Sequence, residues 1–405
     1  MATLCRVFSL LALVLLPFAS PGLAAGQATP AAGSGPGGEQ YTPVVASVFA
    51  PPKWFTGADG TAHLVYELVL ANAFPVPATV TAVEVLDGKG GTVAALEGDA
   101  LAGSMSLLTG GPLPEGAIPP STIGVVWFDL PLPDEAAIPA EVSHRITVEV
   151  PPGLPVPETI TATGAPAQVD RRPPVVLAPP VAGPRWVAVG SCCDGPHRRS
   201  IQPIDGGLYL SQRFAIDFNQ LDAEDRFSSG DPALNESYPT WGQPVFAVAD
   251  ATVAVAVDRY PDQVAGQTTG VTLESADGNH VVLDLGDGRF AFYAHLLPGS
   301  VRVAAGDTVR RGEQIGAAGN SGSSDGPHLH FHVMSGPSAL VADGLPYVFD
   351  TFGYTGSIPP LSDAAAYYAA QEPVPIDRSN AGARHDELPL GGDVLTFPEP
   401  GPPAD

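Results

Sequence analysis

The stretch Asp325–Val333 reads DGPHLHFHV. Its three histidines, His328, His330 and His332, recur at every second position, and Leu329, Phe331 and Val333 fill the gaps. Side chains alternate between faces along a β-strand. The spacing therefore predicts a strand with three imidazoles on one face and an apolar set on the other. Imidazole is the commonest neutral ligand for zinc, and a catalytic zinc takes three protein ligands and leaves a position open. A same-face HxH pair is a two-point clamp for a divalent metal. The remaining ligand has to come from another strand.

Upstream, QRFAIDF (212–218) supplies a candidate. Phe214, Ile216 and Phe218 alternate with Arg213, Ala215 and Asp217. An aspartate inside so apolar a strand is costly unless it is paired or bound to a metal. Arg213 and Asp217 are an even number of positions apart, so a strand running through both puts them on one face. Between QRFAIDF and the histidines lie further strand runs, such as GQPVFAVADATVAVAVD and GVTLESADGNHVVLDLGDGRFAFYAHL, punctuated by Asp-Gly and Gly-Asp turns. Residues 219–241 are polar and turn-rich and read as a long loop at the rim of a site.

The ordered set AIDF, GQPVFAVADATV, YAHL, VAAGDTVRRGEQIGAAGNSG and GPHLHFHV resembles the lysostaphin-like, or LytM-type, zinc metalloendopeptidases that cut peptide cross-links of bacterial cell walls. The resemblance covers roughly residues 186–354. It implies a compact, curved antiparallel sheet of the duplicated hybrid motif type, one zinc ion, and peptidoglycan peptides as substrate. Asp217 and His330 would be zinc ligands. His295, in YAHL, and His328 would stand beside the attacking water, taking its proton and stabilising the tetrahedral oxyanion.

The pattern is broken at one place. The family carries a histidine ligand four residues before the aspartate, and here that position is Arg213. A guanidinium has no lone pair to give a metal. One expectation is that Arg213 neutralises Asp217 and excludes metal. The domain would then be an inactive module that grips wall peptides or regulates a partner hydrolase. The other is that a different histidine substitutes, leaving Arg213 to fix Asp217 or meet a substrate carboxylate. His197, in DGPHRRS, lies sixteen residues before Arg213, within reach of a hairpin that folds it back onto the strand of Asp217. His332 shares the face of His330 but stands about 7 Å further along, which suits a cleft-lining or supporting residue. His280, in DGNHVV, reads as a turn-flanking residue.

The whole chain of 405 residues reads as all-β in two domains. Residues 1–25 read as a secretory signal, with Arg6 ahead of an apolar run and small residues at Gly22–Ala25; that run is short for a membrane anchor. The expected location is therefore the cell envelope or beyond it. Residues 26–40 read as a flexible linker, and 41–170, with runs such as HLVYELVLANA and HRITVEV, as an immunoglobulin-like β-sandwich that serves as a spacer or wall-facing module. His63 and His144 are read as ordinary structural or surface histidines. Residues 171–185 are proline-dense and read as an extended linker, 186–355 as the peptidase-like domain, and 356–405 as a mostly disordered tail with one short helical segment, SDAAAYYAAQE.

Net charge is −25, from 43 acidic and 18 basic side chains, which argues against nucleic acid as a partner. Beyond Cys5, the adjacent Cys192 and Cys193 cannot staple a fold. They can form a vicinal disulfide or remain thiols.

Overall fold

The structure is a computed structural model that describes residues 40–193 and 195–401. Residues 1–25, read from the sequence as a signal, and residues 26–39, read as part of the first linker, lie outside the described residues. Among the described residues no helix is long and apolar enough to cross a membrane.

The front domain is built from two five-stranded sheets. One holds Ala62–Asn72 at its centre, flanked by Val44–Val48, Lys53–Thr56 and Ile123–Leu132, with Met105–Leu107 at the edge. The other runs Thr159–Gln168, Glu141–Glu149, Ala78–Asp87, Thr92–Glu97, with Ala117–Ile118 on one side. Glu141–Glu149 shows the driving pattern. Val142, Ile146 and Val148 point inward and meet Leu64, Leu68 and Leu70 of the first sheet in a common core. Each fully buried aliphatic side chain of this kind contributes about 1.5–3 kcal/mol.

Ala62–Asn72 departs from alternation, because nearly every residue in it is buried. One face joins the sandwich core. The other carries Val65, which packs with Phe55 and Ala58 into the core of the second domain. The front domain is therefore not a spacer. It shares a core with its neighbour.

The second domain is an eleven-stranded sheet, antiparallel at every pairing. The histidine stretch forms Leu329–Met334, which lies between Arg289–Leu296 and Ile216–Gln220. Phe331 and Val333 point into the core with Tyr293, Ile216 and Phe218, and the opposite face carries His330 and His332. Register sets Asp217 directly across from His330 on one side and Ala294 across from it on the other.

Three expectations fail. Residues 171–185 are not a free linker. Val175–Leu177 pairs with Tyr347–Phe349, and Leu177 and Val181 are buried in the main core. Residues 356–401 are not disordered: helix Leu361–Ala370 is followed by strand Asp393–Phe397, which pairs with both Gly183–Val189 and Phe352–Ser357. The run DVLTF buries Val394, Leu395 and Phe397, enough apolar surface to outweigh the proline and acid around it. Finally, Arg213 is not on the strand of Asp217. Ser211–Phe214 is a 3-10 turn, and the strand starts at Ile216.

Candidate metal centre

Three histidines close around Asp217. His330 Nδ1 lies 2.9 Å from Asp217 Oδ1. His328 Nε2 lies 3.4 Å from the same oxygen, and His197 Nε2 lies 3.2 Å from Oδ2. The hairpin Gln202–Ile204 to Gly207–Tyr209 carries the chain from the turn Pro196–Arg199 back to the Asp217 strand, which brings His197 in. Ligand atoms of His197, Asp217 and His330 all lie within 4.8 Å of one another, and so do those of His295, His328 and His330. His330 belongs to both groups.

The outer nitrogens fix which atom each ring presents. His197 Nδ1 faces Gly190 O at 3.2 Å, His295 Nδ1 faces Ser321 O at 2.8 Å, and His328 Nδ1 faces Gly326 O at 2.8 Å. A carbonyl only accepts, so each Nδ1 carries a proton, and it is Nε2 of each ring that faces the centre. His330 is reversed. Its Nε2 lies 3.0 Å from His332 Nδ1, which leaves Nδ1 for the centre. His332 is fully buried against Phe292 and belongs to neither donor group; it supports the His330 ring rather than joining the metal set.

The electrostatics follow from burial and convergence. Burial works to raise the Asp217 carboxyl, but the charges of His197 and His328 and hydrogen bonds from His197 and His330 hold it well below the usual carboxylate range. Burial, then repulsion from His328 and His330, pushes His295 well below the ordinary imidazole value. His330 is lowered by burial against the pull of Asp217. Burial also works to lower His197, and there the Asp217 carboxylate outweighs it and raises the pKa. His295 has a left-handed backbone, φ 61°, at the end of its strand, which turns its ring toward His328, 4.8 Å away between centroids. Non-glycine residues held in that region cluster at functional sites.

Arg213 stands elsewhere. It is buried, and its Nε and Nη2 donate to the Glu67 carboxylate of the front domain, each at 2.9 Å. Its Nη1 donates to Asp343 Oδ1 at 2.5 Å and to Gly344 O at 3.1 Å. Asp343 Oδ2 in turn accepts from Lys53 Nζ at 2.6 Å. The 3-10 turn swings the guanidinium away from the Asp217 face. Arg213 therefore neither neutralises Asp217 nor lines the cleft, and the expectation that it takes the metal's place loses its geometric basis.

The remaining histidines have ordinary partners. His144 lies between Tyr66 Oη at 2.9 Å and Ala165 O at 3.0 Å, and His280 Nδ1 meets Gly278 O at 2.9 Å. His63 Nδ1 is 2.8 Å from Asp129, in a group that also contains Cys193. The Cys193 sulfur is taken up by a disulfide to Cys192.

Two cavities meet at the centre, sharing Asp217, Asp325 and His328. One is mixed, with Gln202, Gln212, Thr268 and Asp277 alongside Leu273, Phe292 and Leu340. The other is apolar, with Val189, Phe227, Leu361, Ala364 and Tyr368, and owes its helix to the segment after residue 360.

Residues 237–341 match the model of Peptidase family M23. The match includes His295, His328, His330 and His332 and stops short of His197 and Asp217. An uncharacterized metalloprotease of Haemophilus influenzae is 40% identical over 94 residues, 23% of this chain and 16% of that protein. The peptidoglycan DD-endopeptidase ShyA of Vibrio cholerae is 40% identical over 57 residues, 14% of this chain and 13% of that protein. This chain thus spans less than a fifth of either relative. Among solved structures, the catalytic domain of the prophage-encoded M23 protein EnpA from Enterococcus faecalis is similar at 21% identity, over 42% of this chain and 92% of that one, with a TM-score of 0.26.

Proposed function

We propose that this protein is an exported zinc metalloendopeptidase that hydrolyses peptide cross-links of bacterial peptidoglycan. His197 Nε2, Asp217 and His330 Nδ1 would hold the metal. On this reading the front domain is an immunoglobulin-like sandwich, and the second is the curved duplicated-hybrid sheet of such peptidases. The observation that carries the reading is the convergence of those donor atoms within 4.8 Å, with two further imidazoles beside them. The donor set fits zinc: two neutral imidazoles and one carboxylate are ligands that catalytic zinc sites use. The outer nitrogens are tied to a backbone carbonyl at His197 and to His332 at His330, as the outer hydrogen bonds of metal-bound histidines are. The names of the relatives point to the same substrate class.

When bound, zinc supplies the Lewis acidity that makes water a nucleophile at neutral pH. The chain's own residues do the rest. His295 is held neutral by burial, so its Nε2 lone pair is free to take the proton of the attacking water. His295 then returns that proton to the leaving amine, and His328, when its Nε2 carries a proton, can donate it to the developing oxyanion. Asp217 stays anionic throughout. The cavity walls hold an extended peptide across these groups. Export follows from the substrate, which lies outside the membrane, and from the signal pattern in residues 1–25.

The test is zinc per chain after dialysis against a weak chelator, alongside release of fragments from purified peptidoglycan. About one zinc is expected, with His330→Ala losing metal and hydrolysis together. A native chain without zinc, or a His330→Ala variant that still digests peptidoglycan, would overturn the proposal.

A further inference from the structure

The turn that carries His197 is fastened to the front sandwich. Pro196–Arg199 is one short 3-10 turn, and the residue after His197 is Arg198, only 2% exposed. Arg198 Nη1 donates to Cys193 O at 2.9 Å, bracing the loop that leads into the turn. Its Nη2 reaches into the front domain and donates to Tyr66 O at 3.3 Å and to Phe128 O. Tyr66 and Phe128 face each other on paired strands of the sandwich. Arg198 Nε stands 4.0 Å from Glu67, the carboxylate that also receives Arg213. The next residue is tied as well: Arg199 Nη2 donates to Gly103 O at 2.9 Å. Ile201 then packs with Val125 and Trp127. Every side chain from 198 to 201 except Ser200 thus has a partner in the front sandwich.

The ring of His197 meets its own domain through few groups. These are Gly190 O, Asp217 and the edge of His330. Gly190 has φ 64°, and a Cβ there would stand 2.9 Å from His197 Nδ1, so the ring lies directly on bare backbone. The loop gives His197 room and one hydrogen bond. The turn that bears His197 packs against Ser211–Phe214 of its own domain and is fastened to the sandwich where Arg198 plugs in.

We infer that the front sandwich is a working part of the metal site, with Arg198 as the positioning residue that places His197 against Asp217. The inference rests on the reading of His197 as a metal ligand. It also accounts for the two fates of the neighbouring arginines. Arg213 sits where a ligand is expected and instead clamps the front domain; Arg198 uses the same domain, and the same Glu67, to deliver the ligand that takes over. A domain fused in front of a peptidase becomes, in this chain, the frame for one of its metal donors.

The experiment compares His197→Ala, Arg198→Ala, Arg198→Lys and Arg199→Ala in the full chain. Zinc affinity is measured by competition with a chromophoric chelator, the cobalt(II) form is examined by absorption spectroscopy, and folding is followed by circular dichroism. Loss of a group that orients a ligand weakens metal affinity by about ten- to a hundredfold. Arg198→Ala is expected to fall in that range with an altered cobalt spectrum. Arg198→Lys, which keeps the charge and loses the fork, should recover part of both. Arg199→Ala, whose bond is exposed, should change neither appreciably. A purely structural role for Arg198 would lower the melting temperature and leave the cobalt spectrum of the folded protein as it was, and that result overturns the inference. If Arg198→Ala does not fold, wild-type affinity and spectrum in Arg198→Lys overturn it equally. Undiminished zinc binding in His197→Ala would sink the ligand reading itself, whereas loss of zinc there with no change in the Arg198 variants would sink only the positioning role.

Discussion

Two buried polar clusters meet in this molecule, and they are built on opposite rules. Around Arg213 every charge has a counter-charge: Glu67 takes two of its donors, Asp343 takes a third and passes its other oxygen to Lys53. Around Asp217 the rule is convergence. Ring nitrogens of His197, His295, His328 and His330 face a common region, and their outer nitrogens are tied off behind them. The first cluster is complete as it stands, while the second is an arrangement that a cation completes. Arg213 and Asp217 are four residues apart in sequence and belong to different clusters because one turn of 3-10 helix separates them. Spacing along a chain assigns residues to a face only while the backbone keeps one conformation.

The sharpest way to break this contrast is at Glu67. Glu67→Ala leaves two buried guanidiniums facing a hole, and urea unfolding should show a loss of about 3–5 kcal/mol whether or not zinc is present. A loss under about 1 kcal/mol would mean the cluster is solvated in a way this geometry does not allow. Arg213→His restores the residue type expected of the family at that position. Its side chain points at Glu67, so zinc affinity should stay at the native level while stability falls by about 3 kcal/mol, measured by chelator competition and urea melts. A gain in zinc affinity would show that the turn can rearrange to rejoin the metal set.

A buried imidazole outside both clusters sharpens the comparison from the side of pH. His144 has partners on both nitrogens, and burial lowers its pKa to about 4. Its unfolded value is about 6.5. The unfolded chain therefore takes up a proton first as pH falls, so the stability His144 contributes is full above pH 6.5 and is lost as pH drops through 4. The loss is on the order of 3 kcal/mol. His144→Gln should flatten that limb of the pH–stability curve, and an unchanged slope would refute the assignment. The smallest effect is at His332. His332→Ala frees the outer nitrogen of His330, and zinc affinity of the folded protein should fall by about ten- to a hundredfold, while the cavity left beside Phe292 costs the zinc-free protein a separate amount in urea melts.

How far the sequence shows these things depends on the range of the interaction. DGPHLHFHV gives its strand because alternation is a property of adjacent residues, and His330 and His332 do share a face. The turn at Ser211–Phe214 was hidden because QRFAIDF alternates just as well as a strand, and nothing local signals that Arg213 has a carboxylate waiting 146 residues upstream. HLVYELVLANA held a clue of its own. A run so uniformly apolar is more than one half-buried face needs, and its single charge, Glu67, marks where the second domain sits. The strand Asp393–Phe397 is not evident from the sequence because its five residues, only three of them apolar and without alternation, lie between proline-rich and acidic segments whose composition suggests disorder. His197 was visible as a histidine within hairpin reach. Its support was not, since Arg198 acts through backbone carbonyls that any sequence would supply.

Strand Gly183–Val189 leads directly into the loop that bears His197, and it is held between Ile216–Gln220 and Asp393–Phe397. A ribosome makes these pieces in the order 183, 216, 393. Throughout the synthesis of everything between, one edge of Gly183–Val189 stands open, and so does the surface of the front sandwich that Leu388 later bridges at Thr56 and Ala58. Open edges recruit any strand that passes, so such a chain is exposed to mispairing while it is being made. The same arrangement sets a clock. A chain ended at residue 385 should take up less zinc than the full chain, and the proposed metal centre would be complete only after the stretch around residue 393 has emerged and closed the sheet.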